Sequence, residues 1–168
     1  MDVIKGRVWK FGDNVDTDVI SPSKYMEAPM EEQVKHVMEE INPRFPREVK
    51  PGDIIVAGRN FGCGSSRETA PDLIKRLGVA AVVAESFARI FFRNSVAIGL
   101  PILVCPKVSE AFEEGDTLEL DLEKATVKNT TKNITLNGEP LSPDMLKVLE
   151  KGGITPLLKE IAQKQQQQ

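Results

Sequence analysis

The feature that most limits the fold is an alternation of two patterns between residues 54 and 104. Short apolar runs without charge, Ile54 to Ala57, Val79 to Ala84 and Pro101 to Val104, are separated by stretches whose apolar residues recur at helical spacing. Runs of this kind read as strands buried on both faces. Between the first two, Ala70, Leu73, Ile74 and Leu77 share one face of a helix predicted over Ser65 to Leu77, and Gly78 suits the position just past its end. A second helix is predicted from Phe87 to Ile98, capped by Ser86 and stopping near Gly99. This order predicts a parallel βαβαβ core in an α/β domain.

The flanks differ from that core. Val3 to Trp9 alternates as a short strand does, and the Gly-Asp-Asn-Val-Asp-Thr-Asp run at 12–18 reads as an acidic loop. Met30 to Ile41 carries Val34, Val37, Met38 and Ile41 at helical spacing and ends at Asn42-Pro43, because a residue before proline avoids the helical basin. Beyond Cys105, strands are predicted over Thr117–Leu122, Thr126–Lys128 and Ile134–Leu136, with Asn137-Gly138 as a hairpin turn, so this flank is β-rich. A last helical stretch runs from Ser142 to Ala162, broken at Gly152-Gly153, and Gln165 to Gln168 forms a polar tail. The 168 residues then make one domain over 1–164 followed by a tail over 165–168.

Composition removes several classes of function. Uncharged apolar stretches such as Leu77 to Ala84 fall far short of the roughly 20 residues that a membrane span needs. Charges at Asp2, Lys5 and Arg7 break up any apolar leader, which makes the cytoplasm the expected compartment. Two cysteines, Cys63 and Cys105, can neither complete a zinc site nor hold an iron–sulfur cluster by themselves. The net charge of −3 hides a basic middle, since residues 43–93 carry nine Lys and Arg against five acids. That part favours anions. The basic residues neither run together nor interleave with aromatics, so no nucleic-acid surface is expected.

The segment richest in chemistry is the strand Ile-Ile-Val-Ala-Gly, the loop Arg-Asn-Phe-Gly-Cys-Gly and the helix start Ser-Ser-Arg-Glu. A glycine-bearing turn that feeds a helix start offers free N–H groups to a carboxylate or phosphate, and Arg67 adds a fork of donors. The nucleotide-binding versions of this arrangement do not apply, because no Gly-Lys-Ser/Thr follows and Arg67 stands where a third glycine would be needed. Ser65-Ser66-Arg67-Glu68 is equally a capping box, in which Ser65 and Glu68 only start a helix. Cys63 reads either as an activated thiol or as a small packing residue. His36, alone within its helix, reads as structural, and Asp13 and Asp16 read as a solvated turn without the glutamate of a calcium loop. Arg89 and Arg93, four apart on one helix, read as a solvent-facing pair.

Three segments together, KGRVWKFGDNVDTDVISP at 5–22, VAGRNFGCGSSRE at 56–68 and AESFARIFFRNSVAIGLP at 84–101, resemble the small subunits of 3-isopropylmalate dehydratases and their homoaconitase relatives. Those subunits are similar to the C-terminal swivelling domain of aconitase, a three-layer β/β/α fold, and the resemblance covers roughly residues 3–160. It implies half of an enzyme that dehydrates and rehydrates a small hydroxy dicarboxylic acid. A separate large subunit would hold the [4Fe–4S] cluster, and this chain would bind no metal. By the same resemblance Ser65 is the general base, Asp18 a supporting acid, and Gly64, Ser66 and Arg67 bind the substrate carboxylate. A serine hydroxyl acts as a base only where nearby N–H groups and a cation stabilise its alkoxide.

The resemblance also implies a substrate-reading loop after Tyr25, here Met26-Glu27-Ala28-Pro29. Homoaconitases resemble one another in an arginine at the position of Glu27, and isopropylmalate enzymes carry an apolar residue there. An acid at this position repels a third carboxylate, which disfavours homoaconitate and citrate. Thr69, where the family often has histidine, keeps a dehydratase of methyl-branched malates open beside isopropylmalate. A non-catalytic anion-binding module, in which Ser65 merely caps its helix, and self-association of the isolated chain also stay open.

Overall fold

A computed structural model of the chain describes residues 1–167. In chain order its elements are β1 (Ile4–Lys10), α1 (Thr17–Ile20), α2 (Met30–Gln33), α3 (Phe45–Glu48), β2 (Ile54–Ala57), α4 (Thr69–Arg76), β3 (Ala81–Ala84), α5 (Arg89–Ala97), β4 (Ile102–Val104), α6 (Val108–Ala111), β5 (Thr117–Asp121), β6 (Thr126–Asn129), β7 (Ile134–Asn137), α7 (Pro143–Glu150) and α8 (Ile154–Gln166). The strands form a seven-stranded sheet in the order β4-β3-β2-β1-β5-β6-β7.

β1 serves both halves of that sheet. Its first residues pair antiparallel with β5, Ile4 opposite Leu120 and Arg7 opposite Thr117, and its last ones run parallel to β2, Val8 opposite Ile54 and Lys10 opposite Val56. Parallel β1 to β4 and antiparallel β5 to β7 thus share one strand, and the expected α/β class with a parallel core and a β-rich flank is what the chain forms. Every residue of β2 and β3 is buried, which the uncharged runs in the sequence require. Both crossovers step the same way along the sheet, so the right-handed rule puts α4 and α5 on one face, where they touch. In the core, Trp9 meets the edge of Phe45 at 5.3 Å between centroids, and its indole N–H donates to Asp53 at 2.9 Å, leaving no unpaired polar group behind. No helix among the described residues is long and apolar enough to cross a membrane.

Several local expectations change. The stretch 30–41 is not one helix: α2 gives way to a 3-10 turn at Val34–His36, and Met38 takes φ +57° while Val37 and Met38 bury completely. Burying both neighbours turns the chain where helical spacing alone continues it. α4 starts at Thr69 rather than Ser65, with no side-chain cap. Ser86 does not cap α5; its hydroxyl accepts the Asn60 N–H at 2.8 Å and so ties two loops together. Residues 12–18 are partly ordered, because the Asp16 carboxylate caps α1 by accepting the Asp18 N–H at 2.6 Å. Asn137-Gly138 makes no hairpin, for the antiparallel connections fall at 122–125 and 130–133; an added Cβ at Gly138 would stand 2.7 Å from the Val104 carbonyl. α8 continues through Gln166, so Gln165 and Gln166 are helical, and Gln168 lies outside the described residues.

Candidate active site

Loops that leave the C-terminal ends of adjacent parallel strands meet above the sheet edge, the usual place for ligands in open α/β sheets. Here the loops after β1, β2 and β3 continue to pair beyond their strands. Asn14 N–H donates to the Arg59 carbonyl, Gly62 N–H to Val15 and Thr17 N–H to Cys63, each at 2.8 Å. Ala88 N–H donates to the Phe61 carbonyl at 3.0 Å, and the Phe61 ring lies 5.3 Å edge-to-face from Phe91 of α5. Gly62, at φ +81°, passes so close to Phe91 that any Cβ would overlap the ring. The loops are therefore cross-linked by main chain and aromatic packing, and side chains on them hold fixed positions.

Asp18 stands at the centre of the polar group. Its Oδ1 accepts the Ser65 hydroxyl at 3.2 Å and also pairs with Arg67 Nη2 at 2.9 Å. Arg67 Nη1 donates to the buried Ser21 carbonyl at 2.8 Å, which fixes the guanidinium at both ends. The Ser65 carbonyl accepts both the Arg67 N–H, at 2.9 Å, and Thr17 Oγ1, at 2.6 Å, while Thr17 Oγ1 also stands 3.3 Å from Ser65 Oγ. Gly64, at φ +88°, lets the loop pass the Asp16 carboxylate, where a Cβ would come within 2.6 Å. Ser65 is exposed, and Thr17 beneath it is only 2% exposed.

Gly64, Ser65, Ser66 and Arg67 line a cleft of about 260 Å³ together with the first turn of α5. At about 30 Å³ per water the cleft holds roughly nine, the scale of a small organic acid. A larger hollow of about 660 Å³ beside Lys35, His36 and Arg47 holds none of the residues that the sequence singles out for chemistry.

The structure thus brings Asp18, Gly64, Ser65, Ser66 and Arg67 together. It leaves Tyr25, Met26 and Glu27 apart from them: the Tyr25 ring stacks on His36 with centroids 3.6 Å apart, Met26 and Glu27 are exposed, and none of the three lines the cleft. Ser65 does not cap a helix, because its hydroxyl is directed to Asp18 and α4 begins four residues later. The helix start expected to supply N–H groups beside Ser65 is accordingly absent, and Arg67 is the cation of the group. Thr17 was not visible as a site residue; the only sign in the sequence is its place between two aspartates of the loop after β1.

Neither thiol is activated as a nucleophile by its surroundings. Burial, followed by the Asp16 carboxylate, pushes Cys63 up, and burial pushes Cys105 up to about 11, so both stay protonated at neutral pH. Among the described residues no three His, Cys, Asp or Glu side chains gather as metal ligands. The residues of this chain do not fit an iron–sulfur cluster, which needs thiolates.

The chain is thus an α/β domain with a cleft above its parallel strands, lined by Ser65, Ser66 and Arg67, with Asp18 paired to the serine and the arginine. Residues 13–107 match the aconitase C-terminal domain family, and the chain belongs to it. It is 53% identical to the isopropylmalate/citramalate isomerase small subunit of Methanocaldococcus jannaschii over 159 residues, 94% of this chain and 95% of that one. It is 50% identical over 153 residues to the methanogen homoaconitase small subunit of Methanothermobacter thermautotrophicus, covering 90% of this chain and 88% of the relative. The crystal structure of a 3-isopropylmalate dehydratase from Methanocaldococcus jannaschii superposes with a TM-score of 0.92 at 43% identity, covering 99% of both chains.

Proposed function

We propose that this chain is the small subunit of an aconitase-type hydro-lyase that interconverts 2-isopropylmalate and 3-isopropylmalate by loss and return of water, as in leucine biosynthesis. The observation that carries this reading is the single Asp18 oxygen shared by the Ser65 hydroxyl and the Arg67 guanidinium at the wall of a cleft the size of a small acid. The [4Fe–4S] cluster belongs in this reading to a large subunit, whose face closes the open side of the cleft. Two free thiols suit a reducing compartment, which supports the cytoplasm as the compartment of this reading.

Within this chain the chemistry is a proton relay. Ser65 passes its hydroxyl proton toward Asp18, and the alkoxide is stabilised by the guanidinium held 2.9 Å from the same carboxylate. The alkoxide then takes the proton from the carbon next to a substrate carboxylate. The C–H electron pair becomes the double bond as the hydroxyl leaves the neighbouring carbon. The proton and the hydroxyl together are the water lost, and their return with the two carbons exchanged gives the isomer. Gly64 and Ser66 shape the wall on which the substrate carboxylate rests, with Arg67 as its cation.

For the substituent, Glu27 is exposed and does not line the cleft in the chain by itself; in this reading closure by the large subunit brings it to the substrate, where it repels an anionic third group. An uncharged isopropyl or methyl group is not repelled. The relative named for both isopropylmalate and citramalate, a methyl-branched malate, fits a loop of this kind, whereas the homoaconitase relative keeps the tricarboxylate reading as the alternative. A non-catalytic module has lost its main support, since Ser65 caps nothing. The test is to purify the chain with a cluster-bearing large subunit and assay 3-isopropylmalate, citramalate and homocitrate. Turnover of the first two is expected. Turnover of homocitrate alone establishes the alternative, and no turnover of any diacid rejects the reading.

A further inference from the structure

We propose that Arg89 is a second carboxylate-binding residue of the cleft. The inference rests on the cleft being the site of a hydroxy diacid. Such a substrate brings two carboxylates, and the group around Ser65 has one cation that is already paired. Arg67 is spent on Asp18 through Nη2 and on the Ser21 carbonyl through Nη1, and its side chain is only 18% exposed. With Asp18 beside it, that pair is neutral as a unit and cannot balance a dianion.

Arg89 supplies the missing charge. It is the first residue of α5 and lines the same cleft as Ser65, Ser66 and Arg67. It is exposed, and among the described residues it forms neither a hydrogen bond nor an ion pair; Glu139, across the neighbouring hollow, does not pair with it. Folding gives no reason for a cation there. A positive side chain at a helix N-terminus opposes the macrodipole, and α5 carries no acid in its first turn and no side-chain cap. The two arginines of the helix also differ, because Arg93 does not line this cleft. Both arginines line the neighbouring hollow, and of the two only Arg89 also borders the cleft beside Ser65.

Arg89→Gln, Arg89→Lys and Arg93→Gln are compared with the wild-type chain in the reconstituted two-subunit enzyme. Loss of a charge-assisted contact predicts that Arg89→Gln raises KM for 3-isopropylmalate by about ten- to a hundredfold while kcat stays within about threefold. Arg89→Lys recovers part of the loss, and Arg93→Gln leaves KM within about twofold. Inhibition by malonate weakens with Arg89→Gln, whereas inhibition by acetate, which has one carboxylate, does not. An unchanged KM in Arg89→Gln, an equal rise in Arg93→Gln, or an equal loss of acetate and malonate inhibition overturns the proposal while leaving the reading of the site in place. A wild-type pair that turns over no hydroxy diacid removes both.

Discussion

Thr17 and Ser65 are joined twice, by a 2.6 Å hydrogen bond from Thr17 Oγ1 to the Ser65 carbonyl and by a 3.3 Å approach of the two hydroxyl oxygens. The threonine is buried and the serine exposed, so the loop after β1 holds the reactive loop after β2 from below. Neighbouring aspartates complete the join: Asp16 caps the turn that carries Asp18, and Asp18 meets the Ser65 hydroxyl.

Thr17→Val keeps the volume and removes the hydroxyl. One buried hydrogen bond contributes about 1 kcal/mol to stability, so the melting temperature should fall by only about 2–4 °C. Activity should fall further, by about tenfold or more in kcat, because a serine that is free to drift spends less time in the productive geometry. Thr17→Ser should restore most of it. Steady-state kinetics on the reconstituted enzyme together with thermal unfolding of the small subunit separate the two effects.

Gly64→Ala tests why a glycine precedes Ser65. The left-handed backbone and the approach of a Cβ to the Asp16 carboxylate at 2.6 Å both oppose the substitution. A destabilisation of about 1–3 kcal/mol is expected, with displacement of the turn that carries Asp18 and loss of turnover. Gly12→Ala, where nothing lies within 4 Å of the added methyl, is the control and should change neither quantity. Calorimetry and activity of the two variants side by side give the answer.

The core was legible in the sequence because its strands must be apolar on both faces. Ile54–Ala57 needs no tertiary information, and neither do the Gly58–Gly64 loop or the Gly152-Gly153 break between α7 and α8. What failed was set by partners distant in sequence. Ser65 and Glu68 satisfy a capping box on paper, yet Asp18, 47 residues away, takes the serine hydroxyl and the helix begins later. Met38 fits a helical stripe, but it lies under the core with Val37 only if the helix ends before it. Thr17 reads as one polar loop residue among several, and its burial beneath Ser65 appears only when two loops are brought together.

His36 provides a pH-dependent contribution to stability. Burial lowers its basicity, but hydrogen bonds to Glu32 at 3.0 Å and Glu39 at 2.7 Å outweigh burial and raise it above the ordinary histidine value. A raised value in the folded state stabilises the protein below the unfolded histidine pKa of about 6.5, and that contribution is lost as pH rises through the folded value. His36→Gln should therefore cost most stability near pH 5.5 and little near pH 9, as read from urea unfolding at both values. Because the ring also stacks on Tyr25, the variant should loosen residues 23–29 as well, seen as faster amide exchange there.

The central claim is that the Ser65 hydroxyl, paired with Asp18 and held near Arg67, removes the substrate proton in an enzyme completed by a large subunit. The most direct measurement is kcat of Ser65→Ala in the reconstituted pair, taken with subunit assembly and the visible absorbance of the cluster as controls. The account predicts unchanged assembly, unchanged absorbance and a kcat lower by about a hundredfold or more. Turnover within a fewfold of wild type would contradict it, and Ser65 would then not be the base.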